Sequence, residues 1–144
     1  MTYANTGFLC SLFAPDAHTH RAAVRMKRQE LPLPITWLHR LEFRNALQLR
    51  LFRKEIKPTR RDALLNITLA DLAAGVLAHA EPPLPDLTTE AERVSALHSE
   101  MLRTRTLDIL HVASALVLGF SQFLTFDRRQ QTLAKAAGLK SPPI

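Results

Sequence analysis

One stretch limits the fold more than any other. Residues 106–119, TLDILHVASALVLG, have helical spacing, end at Gly119, and are apolar almost all the way round. Such a helix is buried on several sides. Thr106 is its expected cap and Leu107–Leu118 its body. A strand pattern, Gln122–Phe126, comes next. A closing helix then runs from Asp127 to Gly138, with Asp127 and Gln130 at N-terminal capping spacing.

The rest of the chain alternates in the same way. Short strands are expected at Thr2–Ala4, Ile35–Thr36 and Leu84–Leu87. Asn5 and Thr6 can both cap a helix that starts after the first strand. Helices are expected from Asp16 to about Glu30, from Trp37 to Glu55 behind a Thr36 cap, and from Thr59 to about Leu77. Pro82, Pro83 and Pro85 are expected to end the last of these. A capping box at Thr89 and Glu92 starts another helix, which reaches about Leu102. Strands alternating with helices imply a parallel sheet covered on both faces.

The 144 residues suffice for one domain, 1–144. The single Cys10 cannot form an intrachain disulfide, which points to a reducing cytoplasm. Ile109–Phe120, the longest nearly apolar run, falls short of the roughly 20 residues a membrane span needs. The apolar patch Gly7–Ala14 has no basic residue before it, so it is not expected to be a signal peptide. A cytoplasmic protein with no membrane partner is therefore expected.

The formal charge is +6, and it is concentrated. Residues 40–61 hold eight basic side chains, among them Arg40, Arg44, Arg50, Arg53 and Lys54, against only Glu42 and Glu55. Such a stretch attracts polyanions without reading sequence. It also suits a solvated helix face, and charge alone does not separate nucleic acid from an acidic protein partner.

Three acids fall where solvation is not the obvious explanation. Glu42 lies on a helix face with Leu38 and Ala46. Asp108 occupies the first turn of the most apolar helix. Asp127 stands where the chain leaves the strand. Lone buried carboxylates are costly, and none of the three has an obvious basic neighbour on its own face. Each also has a plainer reading. Asp108 favours the positive end of a helix, Asp127 is an N-cap, and Glu42 can pair with Arg105 or a lysine. In an open parallel sheet, ligands bind at the carboxyl ends of the strands, where Asn5 and Asp127 both fall. Three carboxylates and an amide oxygen converging there would select a hard cation, Mg²⁺ or Mn²⁺.

These residues resemble the PIN-domain ribonucleases, most of all the VapC-like toxins of bacterial toxin–antitoxin pairs, over almost the whole length. The resemblance is carried by Arg105–Leu116 (RTLDILHVASAL), Phe123–Gln130 (FLTFDRRQ) and Leu133–Leu139 (LAKAAGL), with Leu41–Leu47 (LEFRNAL) and Tyr3–Leu9 (YANTGFL) similar to the family's glutamate helix and opening turn. It implies a three-layer α/β/α PIN-like domain with a short parallel sheet. It further implies hydrolysis of RNA phosphodiesters with Mg²⁺ (or Mn²⁺) held by Asn5, Glu42, Asp108 and Asp127. Thr125 joins this catalytic set as a supporting hydroxyl, and Thr6 and Asn45 take the polar positions beside it. An antitoxin partner and a homodimer are implied as well. Arg40, Arg44, Arg50, Arg53 and Lys54 would meet either the RNA backbone or an acidic part of the partner.

The family's opening turn is normally Asp-Thr-Ser, but here it reads Asn5, Thr6, Gly7. The amide offers one oxygen but no charge. This departure keeps open an alternative, a catalytically weakened PIN-like protein that binds RNA or a partner. A basic helical module that binds DNA is a third reading, but it needs no buried acids. Trp37–His79 is rich in Leu on more than one face, and Phe43, Leu47, Leu51 and Phe52 cannot all enter one small core. An interface is expected there.

Overall fold

The computed structural model describes all 144 residues. The elements are β1 (Thr2–Ala4), α1 (Thr6–Phe13), α2 (Thr19–Met26), β2 (Leu33–Ile35), α3 (Trp37–Phe52), α4 (Pro58–Ala73), β3 (Leu77–His79), α5 (Leu84–Leu102), α6 (Thr106–Val117), β4 (Gln122–Leu124) and α7 (Arg128–Ala136). β1 pairs in parallel with β4, Tyr3 opposite Phe123, and β2 pairs in parallel with β3, Leu33 opposite Leu77. A parallel bridge from Gln122 to Lys140 extends the β4 side.

The two ladders lie side by side through β1 and β2 without forming one continuous ladder. Pro34 gives the reason. The Leu33 N–H donates to Val76 and the Ile35 carbonyl accepts from Ala80, so residues 33 and 35 face β3. Pro34 between them faces β1, and it has no N–H to offer.

Strand periodicity sorts the core into two layers of packing. Tyr3 and Phe123 point to one side, where they join Val94, Ile109, Val112 and Leu133 from α5, α6 and α7. Ala4 and Leu124 point to the other side, with Phe8, Leu9, Ala22, Leu33 and Leu77. The expected three-layer α/β/α architecture is therefore present. α6 is buried at Ile109, Val112, Ala113 and Ala115, as its all-round apolar sequence requires.

The expected third strand at Leu84–Leu87 is not a strand. Those residues open α5, and the third strand is Leu77–His79. The prolines start this helix instead of only ending the previous one. At the first helical positions a missing N–H costs nothing, because that N–H has no intrahelical partner. Gly75, at φ 72°, has already turned the chain out of α4. Of the crowded apolar residues on α3, Phe43 and Leu47 are buried while Phe52 stays 84% exposed.

His39 ties α3 to the sheet. Its Nδ1 accepts the Thr36 N–H at 3.0 Å, which leaves Nε2 as donor to the Ala4 carbonyl at 2.7 Å. Burial, aided by the His111 ring at 4.9 Å, pushes its pKa down to about 3 against the opposing pull of the Ala4 bond and Glu42. The folded state thus holds a neutral imidazole, whereas the unfolded chain takes up a proton near pH 6.5. This contribution to stability is complete above about pH 6.5 and is lost as the pH falls toward 3, at up to about 1.4 kcal/mol per pH unit. Urea denaturation of the parent and of His39→Gln between pH 7 and 4 should give a flatter pH dependence for the variant; equal slopes would contradict this account.

Candidate active site

The site grows from the carboxyl ends of β1 and β4. Asn5 ends β1 and caps α1, its Oδ1 accepting the Phe8 N–H at 2.9 Å. Its Nδ2 donates to Gln130 Oε1 at 2.5 Å. That oxygen also accepts from the Thr125 hydroxyl at 3.0 Å, and Thr125 Oγ1 accepts the Asp127 N–H at 3.0 Å. Asp127 Oδ1 in turn caps α7 through the Arg129 and Gln130 N–H groups at 2.8 and 3.2 Å. One buried network therefore locks the two strand ends together. Gly7 lies against it, since a Cβ there would stand 3.3 Å from the Asn5 amide nitrogen.

Glu42 enters from α3. Its Oε1 accepts from the Thr6 hydroxyl at 2.7 Å and from His111 Nε2 at 2.5 Å. His111 Nδ1 is 2.9 Å from the Tyr3 hydroxyl, so with Nε2 donating to Glu42 the other nitrogen accepts from Tyr3. Burial alone would raise the Glu42 carboxyl, but the hydrogen bonds from His111 and Thr6 outweigh it and hold the group below its ordinary range.

Asp108 and Asp127 share one cation. Arg105 Nε meets Asp108 Oδ2 at 2.9 Å, and its Nη2 reaches Asp127 Oδ2 at 3.0 Å. The bond and charge of Asp108, then those of Asp127, raise the Arg105 pKa. Sequence reading found no basic partner for these acids because Arg105 precedes the helix. As the N-cap of α6 it folds back onto Asp108, three residues on. Glu42 pairs with His111 rather than with Arg105 or a lysine.

Asn5, Thr6, Glu42, Asp108 and Asp127 all line one cleft of about 300 Å³, with Arg105, His111, Gln130 and His18, and Phe126 as its single apolar wall. Thr125 supports it from behind. Asn45 is exposed and takes no part in the hydrogen bonding of the cleft. The basic stretch does not line the cleft. Arg40 pairs with Glu81 at 3.3 Å, Arg53 stands 4.0 Å from Glu55, and Arg40 and Arg44 border a separate apolar groove. Arg50 and Lys54 lie farther along α3 and in the turn after it.

The donor set suits a hard cation in its chemistry, with three carboxylates and an amide oxygen. Arg105 is a stand-in charge between Asp108 and Asp127, so positive charge is accommodated at that point. No three of the acids and histidines stand close enough to ligate one ion in this arrangement, because Glu42 is turned to His111 and Thr6. The fit is thus carried by the Asp108–Asp127 pair, with Glu42 at its side.

Asn5→Ala removes a helix cap and strands Gln130 and the Phe8 N–H. It should cost about 1–2 kcal/mol in chemical denaturation. A loss below a few tenths of that would mean the network does not hold the strand ends.

No protein-family model and no curated protein matches this sequence. Solved structures do. VapBC2 from Rickettsia felis, bound to a DNA fragment from its promoter, is 15% identical with a TM-score of 0.67, covering 99% of this chain and 98% of that one. VapC20 from Mycobacterium tuberculosis, a sarcin–ricin loop cleaving toxin, is 17% identical with a TM-score of 0.69, covering 99% and 100%. FitAcB from Neisseria gonorrhoeae is 12% identical with a TM-score of 0.68, covering 99% and 97%. The fold of this chain is the PIN-domain fold that these structures share.

Proposed function

We propose that the chain is a metal-dependent endoribonuclease and the toxin of a toxin–antitoxin pair. The observation that carries this reading is the meeting of Asn5, Glu42, Asp108 and Asp127, from four separate segments, in one polar cleft at the strand ends. The fold shared with VapC20, which cleaves the sarcin–ricin loop, supports RNA as the substrate.

Asp108 and Asp127 are the proposed holders of Mg²⁺ or Mn²⁺, with Glu42 and the Asn5 oxygen beside them. A divalent ion so held supplies a bound water of lowered pKa and offsets charge on the scissile phosphate. His111 and Thr6 keep Glu42 ionised and aimed. Gln130 and Thr125 fix Asn5 and Asp127. Such an ion would take the place of Arg105 on at least one of its two carboxylates, and Arg105, at 63% side-chain exposure, is in contact with solvent.

The groove beside Arg40 and Arg44 supports the antitoxin partner. Leu9, Phe13, Phe43, Leu65, Leu69 and Leu72 line about 240 Å³ between α1, α3 and α4, a surface suited to the apolar face of a helix with acids at its edge. Trp37, Leu41, Leu49 and Phe52 remain exposed on α3, which favours self-association.

A binding-only reading rests on Asn5, whose uncharged amide already caps α1 and donates to Gln130, which leaves one oxygen lone pair and no charge for a cation. Cleavage of RNA with and without Mg²⁺ separates the two. The parent should cut only with the metal, and Asp108→Asn and Asp127→Asn should each lower the rate at least ~100-fold. Full activity in either variant would sink the mechanism. Asn5→Asp restores a full charge beside the cation, so it should bind Mn²⁺ more tightly and cleave faster at equal ionic strength. If neither protein cleaves, the binding-only reading stands.

A further inference from the structure

The acid cleft does not end at Phe126. His18 and Phe126 also wall a second cavity of about 300 Å³, together with Arg21, Arg128 and, from the end of the chain, Pro143 and Ile144. Arg21 in turn borders a third, of about 310 Å³, with Arg25, Arg28 and the same Pro143 and Ile144. The three hollows run end to end from the carboxylates along α2.

Their chemistry alternates rings and cations. The His18 ring stacks on Phe126 with centroids 4.4 Å apart and planes 12° apart, and Phe8 is near-parallel to Phe126 at 5.7 Å. The Arg21 guanidinium stands 5.4 Å from the Phe126 centroid. Residues 19–29 hold four basic side chains besides His20 and no acid. Arg21, Arg25, Arg28 and Arg128 form no ion pair with any side-chain carboxylate, a state they share with Arg44, Arg50, Arg60, Arg103 and Arg129 elsewhere, so it is their grouping along the hollows that sets them apart. Arg21 meets the Ile144 main-chain oxygen, and Arg25 Nη2 reaches Gln122 at 3.2 Å.

A second observation points to the same place. Only two buried side-chain polar atoms in the molecule lack a hydrogen-bond partner, His18 Nδ1 and Arg25 Nε. Both belong to this path. Buried polar groups are ordinarily satisfied, so two orphans beside one path mark it as incompletely partnered: the Arg25 Nε–H lacks an acceptor, and His18 Nδ1 lacks an acceptor or a donor according to its tautomer.

We infer that His18, Phe126 and the arginines of α2 form a track for single-stranded RNA leading out of the acid cleft. Stacked rings that can receive a base, followed by cations spaced along a groove, are what a single strand requires. An acidic peptide would use the cations but has no need of the ring platform. The inference rests on the RNA reading of the cleft for its polarity, but not on catalysis. The dense basic run at residues 40–61 then serves another surface.

The test measures binding in EDTA, where no cleavage occurs, so that failure of the nuclease reading and failure of the track are separate results. A fluorescein-labelled 12-nucleotide single-stranded RNA is titrated with the full chain, followed by anisotropy. Arg21→Gln/Arg25→Gln/Arg28→Gln should bind at least tenfold more weakly at 0.1 M salt. Its log–log salt slope should be flatter by about 2, since single strands contribute about 0.7 per neutralised phosphate. Arg21→Gln/Arg128→Gln leaves the half-buried Arg25 in place and should still weaken binding at least threefold. His18→Ala should weaken binding of the RNA but not of an abasic strand of the same length. The control, Arg44→Gln/Arg50→Gln/Lys54→Gln, should stay within twofold of the parent. Parental affinity in both arginine variants overturns the proposal. So does a larger loss in the control, or displacement of RNA by polyglutamate at equal charge.

Discussion

Tyr3, His111 and Glu42 form a row of hydroxyl, imidazole and carboxylate that spans β1, α6 and α3. Each member is satisfied by the next, so removing one leaves a buried polar atom unpaired, which costs more than the bond itself. Tyr3 is fully buried and His111 nearly so. Burial drives the Tyr3 hydroxyl far above its ordinary pKa, so it remains a donor. Through this row the sheet interior, the most apolar helix and the helix that carries Glu42 are held in register. The orientation of an acid at the cleft is thereby set from inside the core.

The rest of the cleft solves a charge problem in a different way. Asp108 and Asp127 cap or begin helices, where partial positive charge from the first turn favours them. That alone would leave two like charges near each other. Arg105 lies between them and reconciles the pair, but from an exposed position. Glu42 is anchored deeply by His111, while the two aspartates are neutralised by an exposed side chain at the rim. One carboxylate is fixed and two are exchangeable, a division suited to a site that must accept and release a ligand.

Much of this is legible in the sequence, and the gaps have identifiable causes. The α6 helix, the strand ahead of Asp127 and the placement of Asn5, Glu42, Asp108 and Asp127 emerge from apolar periodicity and capping residues, both of which are local signals. Leu84–Leu87 reads as a strand because prolines that end one helix can equally begin the next. Arg105 escapes a face-by-face reading because it folds back from the N-cap. His111 reads as part of an apolar helix, although it lies three residues beyond Asp108 on the same face. The α2 arginines do not stand out because density along the chain, highest at residues 40–61, is a poor guide to continuity in space.

The pairing of β1 with β4 also has a consequence in time. Asn5 is made well before its side-chain partner Gln130, which lies 125 positions later in the chain. Contacts of such sequence separation form only when both ends are available. On a ribosome, the α1, α2 and α3 segments emerge and can pack while the fourth strand is still untranslated. The cleft therefore closes only once β4 and α7 have been made. Until then Asn5 and Glu42 have no Asp127 or Gln130 to face, so the assembled site does not exist on the partly made chain.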